Sequence, residues 1–353
     1  MVDERGARVQ SGSHPTKKSR NALARCFRFA EPSHSPKPSL DMSQLVLLFS
    51  GQGAQKTGMG KDFVDASADA RALSAMADDA LGFSLSKIMF EGPDEELTKT
   101  SRCQPALYLH GLMALTLLRE RMPELTPLAA AGLSLGEFTA HAAAGTFSFE
   151  DGLRIVGKRG AFMEEACLAT QGAMAALIGG DEEQVRALAA AADVDIANLN
   201  APGQIVLSGT VTGIDTAVAK AKEFGIRRAI KLNVAGAYHS RLMQSAQDQL
   251  SSELAALTLQ TPNIPVLCNY AATPVAEADE IRRMLEKQVT GTVRWTASIQ
   301  ALIAMGHRNF LELGPGKVIA GLVAKIDKDA VVHSIEDLAS LDATVTALRL
   351  PHP

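Results

Sequence analysis

The sequence predicts an α/β protein in which a small unit of short strands and helices interrupts a larger one. The first observation is the apolar run LVLLF at 45–49, which breaks at once into the glycine-rich turn GQGAQ at 51–55. A buried strand that ends in such a turn is typical of α/β domains. The second observation is a change of rhythm between Gly172 and Val234, where short strand and helix patterns alternate. The longer pattern returns from Tyr238, which indicates an insertion.

The elements of the large unit follow from apolar runs of strand length and from longer helical periodicity. After the first strand, helical patterns occupy 63–81 and 105–121, and the apolar run LAAAG at 128–132 leads directly into GLSLGE. Two further strands are expected at VLCN, 266–269, and NFLELG, 309–314. This alternation of strands and helices is typical of an α/β domain.

The small unit contains six predicted elements in the order βαββαβ, which is the order of a ferredoxin-like subdomain. They are strand 173–178, helix 182–191, strand 194–200, strand 204–209, helix 214–224 and strand 227–232. We therefore predict a ferredoxin-like subdomain of residues 172–235, inserted into a large domain built from residues 42–171 and 236–345.

Composition excludes several classes of function. The chain has 353 residues, of which 46% are hydrophobic and 21% charged, as is usual for soluble domains. No apolar run reaches the roughly 18 residues that span a bilayer, so no membrane segment is expected. The four cysteines are scattered without a CxxC pair, and they are Cys26, Cys103, Cys167 and Cys268. Neither a disulfide framework nor a zinc site is therefore predicted.

Charge is distributed unevenly along the chain. Residues 1–41 carry eight lysines and arginines against four acidic residues, so the rest, with 27 basic and 35 acidic residues, has a net charge of −8. An acidic body argues against nonspecific binding to nucleic acid. The first 41 residues lack apolar periodicity and are predicted to be a disordered basic tail. One interpretation of this tail is a transit peptide, although the acidic Asp3 and Glu4 argue against it. The other is a segment translated upstream of a true start at Met42.

A nucleophile motif stands at the end of the second strand. The segment Gly132-Leu133-Ser134-Leu135-Gly136 matches the GxSxG elbow, a sharp turn between a strand and a helix that exposes a serine. Glycines avoid steric clash in such a turn. The apolar run before the motif and the helical pattern after it supply the context that the motif requires. A serine that caps a helix is the alternative.

A serine hydroxyl needs a base that takes its proton, and the chain has eight histidines. Seven of them lie in the tail, at the carboxyl terminus, after predicted elements or inside helical patterns, and these are His14, His34, His110, His141, His307, His333 and His352. Inside a helical pattern a packed or surface role is expected. His239 begins the segment in which the chain returns to the large unit, so it is one candidate base, and position alone does not decide for it.

Six patterns, which include the glycine turn and the nucleophile motif, follow one another along the chain. They are GQGAQ at Gly51, GLSLGEF at Gly132, KRGAFMEEA at Lys158, NLNAPGQIVLSG at Asn198, GAYHSRLM at Gly236 and LGPGKV at Leu313. In this order, over 45 to about 340, they resemble the malonyl-CoA:acyl-carrier-protein transacylases and the related acyltransferase domains of polyketide synthases. The family's fold, an α/β-hydrolase-like large domain with a ferredoxin-like insert, agrees with the periodicity.

The resemblance implies a set of catalytic residues. Ser134 resembles the family nucleophile and His239 the base, with an acyl-enzyme formed by a ping-pong route. Gln288 resembles the position whose backbone carbonyl orients the histidine, so the pair would work without a catalytic acid. The backbone N–H groups of Gln52 and Leu135 would form the oxyanion hole.

The resemblance also implies substrate-binding residues. Arg159 is similar to the family arginine that pairs with the free carboxylate of malonyl, a task that suits the planar guanidinium fork. Outside its motif, an arginine in this helical pattern would be a solvated ion-pairing residue. Gln104, Asn198 and Asn200 are candidate pocket residues, with turn or helix-end positions as the alternative.

Two positions bear on the acyl group. Tyr238 resembles the aromatic residue found before the histidine in malonyl-selective members, which favours malonyl. Leu133 stands where many members have histidine, so one polar contact near the acyl pocket is expected to be missing.

The resemblance implies an enzyme that transfers malonyl from coenzyme A to the phosphopantetheine thiol of acyl carrier protein in fatty-acid synthesis, without cofactor or metal. A cytoplasmic monomer is expected, with an organelle left open by the basic tail. A stand-alone acyltransferase that serves a polyketide or polyunsaturated-lipid synthase is the alternative. A serine hydrolase would have a carboxylate that orients the histidine and no pocket arginine. A docking module without activity would be expected to lose Ser134 or His239.

The predicted partners are acyl carrier protein and a coenzyme A thioester, with no nucleic acid and no membrane. Such carriers are acidic, and the body of this chain is acidic too, so docking requires a local basic patch. Arg227, Arg228 and Lys231 are the candidate patch. A charged, solvated strand edge is the alternative.

Overall fold

A computed structural model describes residues 45–349, so the predicted tail at 1–41 lies outside the described residues. The strands are β1 (Leu45–Phe49), β2 (Ala129–Gly132), β3 (Gly172–Ile178), β4 (Asp195–Ala201), β5 (Gln204–Thr210), β6 (Arg228–Lys231), β7 (Val266–Leu267), β8 (Pro274–Val275), β9 (Asn309–Leu313) and β10 (Val331–Ile335). They form one sheet of six strands and one of four.

The α-helices connect and cover these strands. They are α1 (Lys61–Ala66), α2 (Ala68–Leu81), α3 (Leu85–Glu91), α4 (Asp94–Thr98), α5 (Thr100–Arg121), α6 (Leu135–Ala143), α7 (Phe149–Ala169), α8 (Glu182–Ala192), α9 (Val211–Lys220), α10 (Gln244–Ala256), α11 (Ala278–Lys287), α12 (Trp295–Ala304), α13 (Val318–Ile326) and α14 (Leu338–Arg349). The α/β class predicted from the sequence is confirmed, with one mixed and one antiparallel sheet.

The large sheet has the strand order β10-β9-β1-β2-β7-β8. Five strands run parallel, and β8 pairs antiparallel with β7. Strand β1 is buried along its whole length: Leu45 and Leu47 pack into the core on one face, Val46 and Leu48 into that on the other. A continuous apolar strand is expected where helices cover both faces of a parallel sheet.

The parallel arrangement places the carboxyl ends of β1, β2, β7 and β9 at one edge of the sheet. The glycine turn, the GxSxG elbow and the LGPGKV motif all follow strands that end there. In open α/β sheets ligands bind beyond this edge.

The small sheet is antiparallel, with the order β4-β5-β3-β6. Helices α8 and α9 cover one face, where the second apolar cluster contains Ala175, Leu177 and Leu207. On the other face, Met174 and Val206 line a cavity that faces the large sheet. The predicted order βαββαβ is therefore present between 172 and 231.

The boundaries differ from the predicted ones at several places. The single helix expected at 63–81 is two, because Ser67 takes an extended conformation and caps α2 by accepting a hydrogen bond from Ala70 N–H. Helix α5 begins at Thr100, so Pro105 lies in its second turn. Strand β7 ends at Leu267, two residues before the predicted end, because the chain there turns toward the elbow. Among residues 45–349, no helix is long and apolar enough to cross a membrane.

Candidate active site

The serine of the GxSxG motif occupies a strained turn between β2 and α6. Ser134 has φ 55° and ψ −104°, a conformation that costs free energy in a residue other than glycine. The flanking glycines permit it: a Cβ at Gly132 would lie 1.9 Å from Gly136 C, and one at Gly136 2.2 Å from Phe49 O. The sequence thus holds the hydroxyl at the start of a helix, facing the cavity.

A histidine lies within hydrogen-bond distance of this hydroxyl. His239 Nε2 is 2.7 Å from Ser134 Oγ, and His239 Nδ1 is 2.8 Å from the backbone carbonyl oxygen of Gln288. A carbonyl oxygen only accepts, so Nδ1 carries the proton and Nε2 presents its lone pair to the serine. The pair is arranged for proton transfer from Ser134 to His239. The group that orients the imidazole ring is the backbone carbonyl of Gln288.

The environment keeps this histidine neutral. His239 is 4% exposed, and burial together with the nearby Arg159 cation lowers its pKa from 6.5 to about 4. A neutral imidazole can accept a proton at physiological pH.

Two backbone N–H groups flank the serine. Leu135 is the first residue of α6, whose N–H has no partner inside the helix, and Gln52 lies in the glycine turn after β1. A Cβ at Gly51 would lie only 2.5 Å from Leu133 O, so the turn packs directly against the elbow. Both residues line the cavity beside Ser134. Their N–H groups are the candidate donors of an oxyanion hole.

A buried arginine lies beside the serine. Arg159, on α7, is 1% exposed; its Nη1 donates to Gln104 Oε1 at 2.6 Å, and its Nη2 to Gln288 Oε1 at 2.9 Å and Ser134 Oγ at 3.2 Å. None of the ion pairs among residues 45–349 includes Arg159, and its Nε has no partner there. Burial lowers its pKa to about 10. A buried cation without a carboxylate partner is a ready site for an anion.

The cavity has a volume of about 490 Å³ and lies between the two sheets. Every predicted site residue except Gln288, which lies behind it, lines this cavity. Asn198 and Asn200 reach it because the β4–β5 pairing is irregular between Ile196 and Asn198, and such a bulge redirects side chains. The side-chain oxygen of Asn200 is buried without a protein partner, so an acceptor is available to a ligand.

The aromatic residue before the histidine is tied to the glycine turn. Tyr238 OH lies 2.6 Å from Thr100 Oγ1, which accepts a hydrogen bond from Gln52 Nε2 at 3.3 Å. Tyr238 also lines the cavity, as does Leu133 on the other side of the serine. No polar side chain is therefore contributed at position 133.

Sequence reasoning missed two residues that hold the elbow. Asn269 accepts from Ser134 N–H at 2.6 Å and donates from Nδ2 to Gly132 O at 2.8 Å. Glu137, fully buried, accepts through Oε2 from Asn269 N–H at 2.9 Å and from Gln288 Nε2 at 2.6 Å. Burial raises the pKa of Glu137 to about 7. Glu137 stands inside the GLSLGEF motif, which was the available signal; nothing marked Asn269.

Two other histidines of the large unit are buried outside this site. His110 and His141 are fully buried in α5 and α6, bonded to Glu336 O and Thr146 Oγ1 respectively, which is a packed role. Between residues 45 and 349, no group of three or more His, Cys, Asp or Glu residues is placed to hold a metal ion.

Comparison with known proteins adds independent observations. The acyl transferase domain family matches residues 46–341. The chain is 41% identical to the malonyl CoA-acyl carrier protein transacylase of Bacillus subtilis, over 87% of this chain and 98% of that protein. A crystal structure of acyl-carrier-protein-S-malonyltransferase from Bartonella henselae has a TM-score of 0.83 and 36% identity, covering 87% of this chain and 100% of that chain.

One similar structure contains a carrier. A malonyl-transacylase solved in complex with a type II PKS acyl-carrier protein has a TM-score of 0.82 and 32% identity, covering 86% of this chain and 99% of that chain. The relatives therefore include a transacylase that serves a polyketide system.

Proposed function

The chain belongs to the malonyl-CoA:acyl-carrier-protein transacylases of the acyl transferase family, and we propose that it transfers malonyl through an ester on Ser134. The donor is malonyl-CoA and the acceptor is the phosphopantetheine thiol of acyl carrier protein. The observation that carries this proposal is the buried Arg159 cation, without a carboxylate partner and 3.2 Å from the hydroxyl that His239 activates.

The first half-reaction forms the acyl-enzyme. His239 Nε2 takes the proton from Ser134 Oγ as this oxygen attacks the thioester carbonyl of malonyl-CoA. The N–H groups of Gln52 and Leu135 donate to the oxyanion of the tetrahedral intermediate. When the intermediate collapses, the C–S bond breaks, and the proton on His239 passes to the departing thiolate of coenzyme A.

The second half-reaction repeats these steps with the carrier. His239 takes the proton of the phosphopantetheine thiol, whose sulfur attacks the malonyl ester. The C–O bond then breaks, and the proton returns to Ser134 Oγ. Gln288 supports both halves, because its carbonyl oxygen fixes the proton on His239 Nδ1 and stabilises the imidazolium.

Arg159 supplies the selectivity for malonyl. Its guanidinium is held by the side-chain oxygens of Gln104 and Gln288, which neutralise no charge. The free carboxylate of malonyl would complete the pair with charge-assisted hydrogen bonds. Asn198 and Asn200 would contact the part of the substrate nearer the mouth of the cavity.

A serine hydrolase is the weaker candidate on two observations. His239 Nδ1 faces a carbonyl oxygen and not a carboxylate, and a buried arginine lies in the pocket. The nearby Glu137 bonds Asn269 and Gln288, not the histidine. Transfer to a thiol is therefore the favoured outcome.

A role in polyketide or polyunsaturated-lipid synthesis is the second candidate function. The likeness to a transacylase bound to a type II PKS carrier favours it. The chemistry at Ser134 would be the same, and only the carrier would differ.

We also propose how the two units of the chain are folded. The strand–serine–helix elbow on a mainly parallel sheet supports an α/β-hydrolase-like large domain of residues 42–171 and 236–345. The βαββαβ order and the antiparallel sheet support a ferredoxin-like subdomain of residues 172–235. A cytoplasmic monomer without cofactor remains a prediction.

The low pKa of His239 predicts an unusual pH profile. Only neutral imidazole accepts the serine proton, so acylation by acetyl-CoA, which lacks the carboxylate that Arg159 would bind, should stay nearly constant from about pH 7 to about pH 5 and fall as the pH approaches about 4. Single-turnover acylation rates would measure this, with circular dichroism to show that the protein stays folded. A half-maximal rate near pH 6.5 would show that His239 titrates like a solvated histidine.

Carrier docking gives a second prediction. Arg227 and Arg228 are exposed, whereas Lys231 pairs with Asp215 at 2.7 Å, so the predicted patch reduces to the two arginines. Arg227 lines a groove together with Gln204, which also lines the active cavity. Arg227→Glu should lower kcat/KM for holo acyl carrier protein by about tenfold and weaken its salt dependence, because local attraction to an acidic carrier is lost.

The matched control is Arg186→Glu, which makes the same change of charge. Arg186 lies on α8, and this helix covers the face of the small sheet that points away from the cavity. It should leave kcat/KM for the carrier unchanged. If both variants lost kcat/KM for the carrier equally, or if Arg227→Glu lost none, the proposed docking patch would be refuted.

The transfer reaction itself tests the proposed function. Purified protein, malonyl-CoA and holo acyl carrier protein from a fatty-acid or a polyketide system should give malonyl-carrier with ping-pong kinetics. Preference for one carrier decides between the two candidate pathways. Release of free malonate at the same rate with and without carrier would identify a hydrolase.

A further inference from the structure

A buried carboxylate joins the elements that carry the active site. Glu137 lies one turn after Ser134 on α6, and its Oε2 accepts hydrogen bonds from Asn269 N–H and Gln288 Nε2. Gln288 Nε2 also donates to the carbonyl oxygen of Ser134 at 2.9 Å. The side chain of Gln288 is thereby clamped between the nucleophile's helix and the arginine.

The chemistry of the two neighbours fixes how the amide of Gln288 is turned. Glu137 Oε2 already acts as an acceptor, from Asn269 N–H, and a guanidinium only donates hydrogen bonds. The NH₂ group must therefore face Glu137, which leaves Gln288 Oε1 toward Arg159 Nη2, at 2.9 Å. The opposite orientation would place donor against donor at Arg159 and acceptor against acceptor at Glu137.

This orientation matters for Arg159 because few groups hold it. Its other hydrogen bonds go to Gln104 Oε1 and to Ser134 Oγ, and the hydroxyl must be free to react. None of the ion pairs within 45–349 joins Glu137 to Arg159, although the nearby Glu137 charge raises the pKa of Arg159 against the effect of burial. A change at Glu137 can therefore reach the guanidinium through the intervening glutamine or through space, and a double variant with Gln288 separates the two routes.

We infer that Glu137 is a positioning residue for malonyl selectivity, which acts through the side chain of Gln288 on Arg159. The inference rests on the proposed function, since it assumes that Arg159 binds the malonyl carboxylate. A purely structural role for Glu137 at the elbow would change the reaction of every acyl group alike. The positioning role changes malonyl transfer more than acetyl transfer, because acetyl has no carboxylate.

The test compares kcat/KM for malonyl-CoA and acetyl-CoA in the parent and in Glu137→Gln, a near-isosteric change. The carboxamide keeps the size of the side chain but removes the negative charge that Gln288 Nε2 bonds, so the hydrogen bond that holds Gln288 against Arg159 is weakened. The malonyl-to-acetyl ratio should fall about tenfold, the effect of one charge-assisted hydrogen bond. A melting curve shows whether the fold is kept.

Gln288→Met provides the second route. It removes the amide but keeps the backbone carbonyl that orients His239, so it should lower the same ratio by a similar factor. In this background, Glu137→Gln should cause no further loss of the ratio, since residues that act in series are not additive. If Glu137→Gln does not fold, Gln288→Met alone decides: an unchanged ratio overturns the inference.

The outcomes distinguish failure of the proposed function from failure of the inference on Glu137. A parent protein that forms no malonyl-enzyme overturns the proposed function and this inference with it. A working parent whose variants lose malonyl and acetyl transfer equally overturns the inference alone. Independent, additive losses in the double variant would show that Glu137 does not act through Gln288.

Discussion

Ser134→Ala should give a folded protein that forms no malonyl-enzyme. The hydroxyl contributes little packing, since the residue is only half-buried, but it supplies the oxygen that carries the acyl group. Loss of the serine nucleophile lowers kcat of a serine protease by about a million-fold, and we expect a comparable loss here. Intact-mass measurement after incubation with malonyl-CoA would detect the ester in the parent and its absence in the variant.

The control for this variant is Ser208→Ala, which removes a buried hydroxyl without a protein partner from the small sheet. It should be acylated like the parent. A malonyl adduct on Ser134→Ala would refute the nucleophile assignment, because no other residue should then carry the group.

Arg159→Ala should reduce malonyl transfer far more than acetyl transfer. The change removes charge-assisted hydrogen bonds worth roughly 1.5 to 3 kcal/mol and leaves the substrate carboxylate partly desolvated without a partner. At about 1.4 kcal/mol per tenfold, kcat/KM for malonyl-CoA should fall by roughly ten- to a few hundredfold. Transfer of acetyl should hold steady or rise, since Ser134 and His239 remain in place.

Arg154→Ala is the matched control, because this arginine lies on the same helix but is half-exposed and pairs loosely with Glu150 and Asp151 at 3.7 Å. It should leave both substrates unaffected. Equal losses of malonyl and acetyl transfer in Arg159→Ala would mean that this arginine supports the fold or binds coenzyme A. The melting temperature of the variant distinguishes a role in the fold from a role in binding coenzyme A. A structural role would lower it, because Gln104 Oε1 and Gln288 Oε1 lose a hydrogen-bond donor.

The reacting groups could be predicted from the sequence because each sits in a contiguous motif. The elbow glycines, the serine and the apolar strand before them are a local signal, and a local steric rule explains it. The histidine needed the resemblance, because eight histidines were available and only the fold brings His239 to within 2.7 Å of Ser134 Oγ.

The supporting residues could not be predicted in the same way. Glu137 has the sequence context of an ordinary acidic residue in a first helical turn, and only its complete burial shows another role. Asn269 is 135 positions from Ser134 in the chain. Contacts over such distances depend on sheet order, which the sequence pattern did not determine.

The small unit was predicted more fully than the edge of the large sheet. Its six elements alternate at short spacing, and the predicted bounds differ from the observed ones by up to four residues, at the end of α9, where a 3₁₀ helix (Ala221–Phe224) follows. The two-residue strand β8 has too few residues for a periodic pattern, and only the first half of the predicted strand 266–269 forms β7. The irregular pairing that turns Asn198 and Asn200 toward the cavity is likewise a property of two strands together.

The most direct test of the account is to locate the acyl group. The parent protein is incubated with malonyl-CoA, digested and analysed by peptide mass mapping. We predict a malonyl ester on Ser134, within the peptide that contains GLSLGEF, which disappears when holo acyl carrier protein is added and reappears on the carrier thiol. An adduct on another residue, or transfer to the carrier without any enzyme ester, would contradict the account.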